Sequence, residues 1–134
     1  MPVLYLLFSH KLTKTQEKEA GEELGASDIR YLPDHLQKLW SNVPPNIDDL
    51  AEYISPVCNW LRERINTGDY ILIQGDYGAT FYMVQWAFHH DCIPLYAATE
   101  RKVQTEKSNN GEVEVRRIFE HKGFKKYQQL NLKK

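Results

Sequence analysis

The chain has 134 residues and a mass of 15.7 kDa, which is the size of one compact domain and leaves no room for a second ordinary hydrophobic core. Hydrophobic residues make up 42% and charged residues 26% of the sequence, so we exclude a disordered, collagen-like or coiled-coil chain. The 17 Lys and Arg and 18 Asp and Glu give a net charge of −1, which argues against a binder of long nucleic acids or of membrane surfaces.

The chain opens on an apolar run from Val3 to Phe8. A run without polar interruption is typical of a strand covered on both faces, as in a parallel sheet. Thr13 and Gln16 then have the spacing of a capping box, and Gly25 supplies a stop, so residues 14–24 are predicted to form an exposed helix. Residues 29–32 are predicted to form a short second strand.

Two more helices are predicted before the next strand. The first begins at Pro33 and Asp34 and carries Trp40, and the two prolines at 44 and 45 place a loop after it. Apolar residues at intervals of three and four predict a longer helix over 47–66. Within it, Ser55 and Pro56 indicate either a kink or a restart with Ser55 as the cap.

A second buried-strand pattern covers residues 70–74 and is followed at once by glycines, by a helix from about Ala79 to His89, and by a strand over 93–97. The alternation of strands and helices predicts an α/β fold with a mainly parallel sheet flanked by helices, and a Rossmann-like topology is the best match.

The last part of the chain is basic. From residue 99 onward there are ten Lys or Arg and five Asp or Glu, a local charge of +5, so residues 1–98 carry −6. Residues 101–107 and 112–119 alternate charged and β-branched residues around an Asn-Gly turn at 108–111, which predicts a C-terminal β-hairpin at the edge of the sheet. We therefore predict a single domain, with an α/β core over 1–98 and a basic hairpin and tail over 99–134.

Several sequence patterns that would indicate secretion, membrane insertion or metal binding are absent. Cys58 and Cys92 form no CxxC pair, no signal-peptide pattern precedes the first strand, and no apolar stretch reaches the roughly 20 residues that span a bilayer. We expect a cytoplasmic protein with no membrane role. The run from His89 to Cys92 is interpreted as a helix C-terminus because adjacent residues on a helix point apart, and no metal or cofactor is predicted.

Two polar segments follow the two buried strands. Ser9, His10 and Lys11 form the segment that we call the His10 loop, and they combine a hydroxyl, a proton-transfer group and a cation. Such a trio suits work on a phosphodiester, because His exchanges protons near neutral pH and Lys offsets developing charge. The alternative is a polar turn in which Lys11 is solvated and His10 only packs.

The second segment, the Gly75 loop, contains two glycines that allow the backbone to approach a ligand, and the helix that follows offers unpaired N–H groups to an anion. It is neither a Walker A nor a dinucleotide-binding motif, and a plain glycine turn with Asp76 as helix cap is the alternative. The loop consists of Gln74, Gly75, Asp76, Tyr77, Gly78, Ala79 and Thr80.

Four segments in order carry a family resemblance: Leu6 to Thr13, Leu39 to Pro45, Ile73 to Thr80, and Tyr96 to Arg101. Together they resemble the small stand-alone proteins of type III CRISPR systems whose fold is similar to the CARF domain, a Rossmann-like sensor of cyclic oligoadenylates. The resemblance implies a ring nuclease, a homodimer that binds cyclic tetra-adenylate on its twofold axis and linearises it without a metal, switching off the antiviral signal.

The resemblance also implies roles for these residues. His10 is expected to act as general acid or base, Lys11 as the stabilising cation, and Ser9 as the group that orients a phosphate. The Gly75 loop is expected to contact phosphates, ribose and adenine, with Arg101 and Lys102 as further phosphate contacts. A protein that only binds the ring, as a sponge or sensor, and a module for another nucleotide or phosphorylated metabolite are the alternatives.

Overall fold

The computed structural model describes residues 1–107 and 111–130. It contains strands and helices in alternation, followed by two long strands. Their bounds are β1 Val3–Leu7, α1 Lys14–Glu23, β2 Asp28–Tyr31, α2 Asp34–Ser41, α3 Leu50–Arg62, β3 Tyr70–Ile73, α4 Tyr77–His89, β4 Ile93–Lys107 and β5 Val113–Lys126.

One five-stranded sheet has the order β2-β1-β3-β4-β5. The first four strands are parallel, and β5 pairs with β4 in the antiparallel direction. The predicted α/β class, the mainly parallel sheet with flanking helices and the C-terminal pair of antiparallel strands are therefore confirmed. The order reverses between β1 and β3, since β2 lies on one side of β1 and the later strands lie on the other.

Apolar side chains of the strands alternate between two cores, one on each face of the sheet. Tyr5, Leu7 and Ile73 face the larger core, which α2, α3 and α4 cover. Leu4, Leu6 and Leu72 face the smaller core, which Leu12 and the α1 residue Ala20 help to cover. The strands are buried on both faces, as their uninterrupted apolar runs predict.

The helix termini follow the capping residues. The predicted capping box of α1 is present in both directions, between Thr13 and Gln16. The predicted restart at Ser55 is absent, because α3 continues through Pro56. Pro56 has no N–H to give to the carbonyl of Glu52, and the hydroxyl of Ser55 donates to that carbonyl instead, at 2.9 Å.

The hairpin differs from its prediction in length. Residues 93–97 and 101–107 belong to one strand, β4, which runs through a register shift between Ala97 and Thr99. The predicted boundary at 98/99 therefore falls inside a strand. Since β3 pairs only as far as Leu95, β4 and β5 continue past the carboxyl edge of the parallel strands as an arm about 30 Å long. The predicted turn residues 108–110 lie outside the described part of the chain.

Both cysteines are buried. Burial raises the pKa of each thiol from 9.0 to about 11, and the carboxylates of Asp69 and Asp91 add to the effect at Cys92. No helix in the described residues is both long and apolar enough to cross a membrane.

The raised pKa values of the two thiols predict that the protein loses stability in alkaline solution. Because the folded-state pKa lies above the unfolded value, the stabilisation is complete below about pH 9 and falls as the pH rises toward 11. The loss is on the order of 1–3 kcal/mol per thiol. Urea unfolding at pH 8.5 and 10.5 measures it, and the Cys58→Ala/Cys92→Ala variant should show a smaller pH dependence. An equal dependence in both proteins would contradict this account.

Candidate functional site

The site lies where the strand order reverses. Leu7 at the end of β1 is in register with Ile73 at the end of β3, and the ladder continues one step further, with the Gln74 N–H donating to the Leu7 carbonyl at 3.0 Å. The His10 loop and the Gly75 loop therefore leave the sheet side by side, from strands about 4.8 Å apart. This is the place where open parallel sheets bind ligands.

Side chains hold the backbone of this edge in place. The indole N–H of Trp40 donates to the Gln74 carbonyl at 3.1 Å, and the Tyr127 hydroxyl donates to the Ile73 carbonyl at 2.7 Å. The Gln37 side-chain amide donates to the Phe8 carbonyl. The sequence did not predict that these three side chains belong to the site. Each comes from a segment distant in sequence, and no local pattern shows that it contacts this edge of the sheet.

Gln74 is itself part of this framework. Its side-chain oxygen accepts a hydrogen bond from the Ala97 N–H of β4 at 2.7 Å. The predicted contact of Gln74 with adenine or ribose is thus left to its amide N–H groups and to the second lone pair of its oxygen. The bond also links β3 to β4 at the point where the arm begins.

Gly75 is required by a close approach. A Cβ at this position would lie 2.9 Å from Nε1 of Trp40 and 3.1 Å from Cε2 of the same ring, and Trp40 is only 1% exposed. The ring has no room to move away, so the position excludes any side chain. Gly78 differs, because its nearest neighbours would be at ordinary contact distances of 3.4 and 3.5 Å.

Asp76 is the N-cap of α4, which begins at Tyr77, two residues before the predicted start. Its carboxylate accepts from the Ala79 N–H at 3.0 Å, and its carbonyl accepts from the Thr80 N–H at 2.8 Å. Ala79 is fully buried, so the structure leaves it no surface for a ligand. The Thr80 hydroxyl is buried without a hydrogen-bond partner within the described residues.

The first turn of α4 retains two donors. A helix leaves its first N–H groups without intrahelical acceptors. Asp76 accepts from Ala79 and Thr80, and the N–H groups of Tyr77 and Gly78 have no acceptor within the described part of the chain. These two groups and the positive end of the helix dipole form an anion-binding element. Tyr77 is 93% exposed beside them.

Removal of the cap should weaken α4. Asp76→Ala is expected to lower the free energy of unfolding by about 1 kcal/mol, whereas Asp76→Asn should retain most of it, because the amide oxygen can still accept from the Ala79 N–H. Urea unfolding of both variants measures the difference. An equal loss in the two would show that the charge of Asp76, and not its capping bond, stabilises the helix.

The His10 loop is exposed. The His10 ring packs edge-on against Phe8, with centroids 5.5 Å apart, and Lys11 is open to solvent. The Ser41 hydroxyl of α2 donates to the Ser9 hydroxyl at 3.2 Å, which ties the loop to the end of that helix. The loop thus places a hydroxyl, an imidazole and an ammonium at one strand end, as the sequence predicts.

Arg101 and Lys102 are more distant. Both lie on the arm of β4, and Arg101 is four residues beyond Ala97, or about 13 Å along the strand. Their side chains lie outside the described part of the structure.

The run from His89 to Cys92 ends α4, as predicted. His90 is the C-cap, its Nδ1 lies 2.8 Å from the Trp86 carbonyl, and its ring stacks on that indole at 3.8 Å. Within residues 1–107 and 111–130, no three His, Cys, Asp or Glu side chains are grouped as metal ligands.

Comparison with known proteins identifies relatives by sequence. A family model described as the uncharacterized protein MJ1673 family matches residues 2–125. A protein of Methanocaldococcus jannaschii, named uncharacterized protein MJ1673, is 42% identical over 127 residues, which cover 95% of this chain and 98% of that protein. No solved structure gives a significant match.

Proposed function

The chain belongs to the uncharacterized protein MJ1673 family, and we propose that it is a ring nuclease of the CARF-like type, which binds cyclic tetra-adenylate and opens the ring. The family name states no activity, so the proposal rests on the site. One observation carries it: the register of Leu7 with Ile73 sets the His10 loop beside the Gly75 loop at the ligand-binding edge.

The groups at this edge suit a small polyanion. Lys11 supplies a full positive charge, and the N–H groups of Tyr77 and Gly78 add the donors of a helix N-terminus. The exposed ring of Tyr77 can stack on an adenine, which is how proteins commonly contact unpaired bases. The net charge of −6 over residues 1–98 disfavours the binding of long nucleic acids.

The proposed reaction needs no water and no metal. The 2′ oxygen of one ribose attacks the phosphorus of its own 3′ phosphodiester and forms a P–O bond, while the bond from phosphorus to the 5′ oxygen of the next ribose breaks. The products are a 2′,3′-cyclic phosphate and a 5′ hydroxyl. His10 takes the 2′-hydroxyl proton or gives one to the 5′ oxygen, and Lys11 stabilises the charge on the phosphoryl oxygens.

A symmetric ring suits a symmetric protein. In a homodimer with twofold symmetry, each copy contributes the same two loops to half of a cyclic tetranucleotide. We therefore propose a homodimer in the cytoplasm with a CARF-like, Rossmann-like fold. Arg101 and Lys102, on the arm of β4, are the proposed contacts of the outer phosphates in this arrangement.

A second candidate function is a protein that binds the ring and does not cut it. The observation that favours it is the environment of His10: among the described residues its recorded contact is the ring of Phe8, with no hydrogen bond to orient the imidazole. Catalytic imidazoles are usually oriented by such a bond.

Calorimetric titration tests the choice of ligand. Cyclic tetra-adenylate should bind with one ring per two chains, and linear tetra-adenylate and ATP should bind much more weakly, because neither presents the closed twofold arrangement. If the cyclic compound gives no binding signal, the proposal fails and a module for another nucleotide or phosphorylated metabolite takes its place.

A further inference from the structure

Helix α2 contacts both loops of the candidate site from one of its faces. Gln37, Trp40 and Ser41 are separated by three and by one residue positions along the helix, so the three side chains lie on the same side of it. Gln37 and Ser41 bond to the start of the His10 loop, whereas Trp40 bonds to the start of the Gly75 loop. This face of α2 therefore sets the distance between the two loops.

Phe8, the residue before the His10 loop, is held on both faces of the sheet. Its carbonyl accepts a hydrogen bond from the side-chain amide of Gln37, which comes from the side of α2. Its ring packs against the smaller core on the opposite face. Gln37 is half-buried, and a hydrogen bond that is partly shielded from water is electrostatically stronger than an exposed one. The main chain and the ring of Phe8 are thus fixed together.

The other end of the His10 loop is also held. The Leu12 N–H donates to the hydroxyl of Tyr31, at the end of β2, at 3.3 Å. The side chain of Leu12 is buried in the smaller core. Ser9, His10 and Lys11 lie between these two fixed points, and so short a segment with both ends held retains little conformational freedom.

The imidazole of His10 takes its position from the ring of Phe8. The two rings meet edge to face, with centroids 5.5 Å apart and planes at 82°, which is a preferred geometry for an aromatic pair. A catalytic imidazole is usually oriented by a third group, and packing on a fixed ring provides that orientation here. A displacement of about 1 Å at a catalytic group can reduce a rate by about 100-fold.

We propose that Gln37 is a positioning residue for His10. It acts through the carbonyl and the ring of Phe8, and it sets where the imidazole lies relative to the N–H groups of Tyr77 and Gly78. Because Gln37 bonds to the main chain, its loss should reduce the rate of ring opening more than the affinity for the ring. The effect on the rate rests on the proposed function, whereas the effect on the position of His10 does not.

Gln37→Met tests the role in the reaction, because methionine has a similar length and volume but no amide to donate. Single-turnover opening of cyclic tetra-adenylate should slow by about 10- to 100-fold, while the calorimetric dissociation constant should change by less than about 3-fold. Gln85→Met is the matched control. The Gln85 amide also donates to a main-chain carbonyl, that of Phe81, at 3.3 Å, but within α4, so this variant should keep the wild-type rate.

A second measurement is independent of activity. The carbon-bound imidazole protons of His10, identified in the NMR spectrum by their absence in His10→Ala, should be shifted by the ring current of Phe8. In Gln37→Met these resonances should move toward the values of an unstructured histidine, and in Gln85→Met they should not move. Thermal unfolding verifies that the variants are folded. If Gln37→Met is not, Gln37→Glu replaces it, since its carboxylate keeps the shape of the side chain and has no proton to donate at neutral pH.

The possible results separate the inference from the proposed function. A wild-type rate in the Gln37 variant, an equal loss of rate and affinity, an equal loss of rate in Gln85→Met, or unchanged His10 resonances would each overturn the inference. If the wild-type protein does not open the ring but the His10 resonances move as expected, the proposed function fails and the placement of His10 by Gln37 stands.

Discussion

His10→Ala is expected to slow the opening of cyclic tetra-adenylate by about 100- to 10,000-fold, which is the usual contribution of a general acid or base. The affinity for the ring should change by only a few-fold, because Lys11 and the N–H groups of Tyr77 and Gly78 remain in place. Single-turnover rates and calorimetric dissociation constants, measured on the same preparations, separate the two effects.

His89→Ala is the matched control for this variant. His89 is also exposed, but it ends α4 at the opposite edge of the sheet, so its loss should leave the rate unchanged. If His10→Ala retains the wild-type rate while Lys11→Ala abolishes binding, His10 is not the acid or base and the binding-only function is favoured.

Trp40→Ala is expected to lower the free energy of unfolding by about 3–5 kcal/mol, the range for truncation of a buried aromatic side chain. Trp40 is 1% exposed, it fills the space above Gly75, and its N–H satisfies the Gln74 carbonyl. The variant removes all three contributions together. Denaturant unfolding with a constant m-value measures the loss.

Trp40→Phe separates packing from the hydrogen bond. It retains most of the ring but leaves the Gln74 carbonyl without its donor, which costs about 1–3 kcal/mol when the group is buried. The expected order of stability is therefore wild type, then Trp40→Phe, then Trp40→Ala. A loss below about 1 kcal/mol in Trp40→Ala would contradict the role of this indole as the support of the Gly75 loop.

The sequence was sufficient to predict the elements that depend on local chemistry. The apolar runs around Leu6 and Leu72 predict strands covered on both faces, and the capping box at Thr13 predicts the start of α1 within one residue. Loops that follow neighbouring parallel strands meet at one edge of the sheet, so the two polar segments come together if β1 and β3 are neighbours. The register of Leu7 with Ile73 confirms that condition.

The remainder depends on contacts between distant segments. Nothing near Trp40 or Tyr127 in the chain indicates that their polar groups bond to the end of β3, because such bonds join residues 34 and 54 positions apart. The length of β4 was also missed. Alternation resumes after residue 99 with a shifted register, and a bulge of this kind interrupts the period-two pattern that marks a strand.

The start of α4 shows a third limit. Asp76 was predicted either to contact the ligand or to cap the helix, and its carboxylate could serve both purposes on chemical grounds. The bond to the Ala79 N–H assigns it to the helix. When a side chain has two possible local partners, the backbone geometry determines which bond forms. Composition and residue spacing do not give that geometry.

The central claim is that the protein opens cyclic tetra-adenylate. The most direct test is to mix this compound with an excess of the metal-free protein in EDTA and to identify the products. Chromatography of the reaction should show linear tetra-adenylate with a 2′,3′-cyclic phosphate at one end and a 5′ hydroxyl at the other. If the ring remains bound but unopened over many hours, the protein is not a ring nuclease.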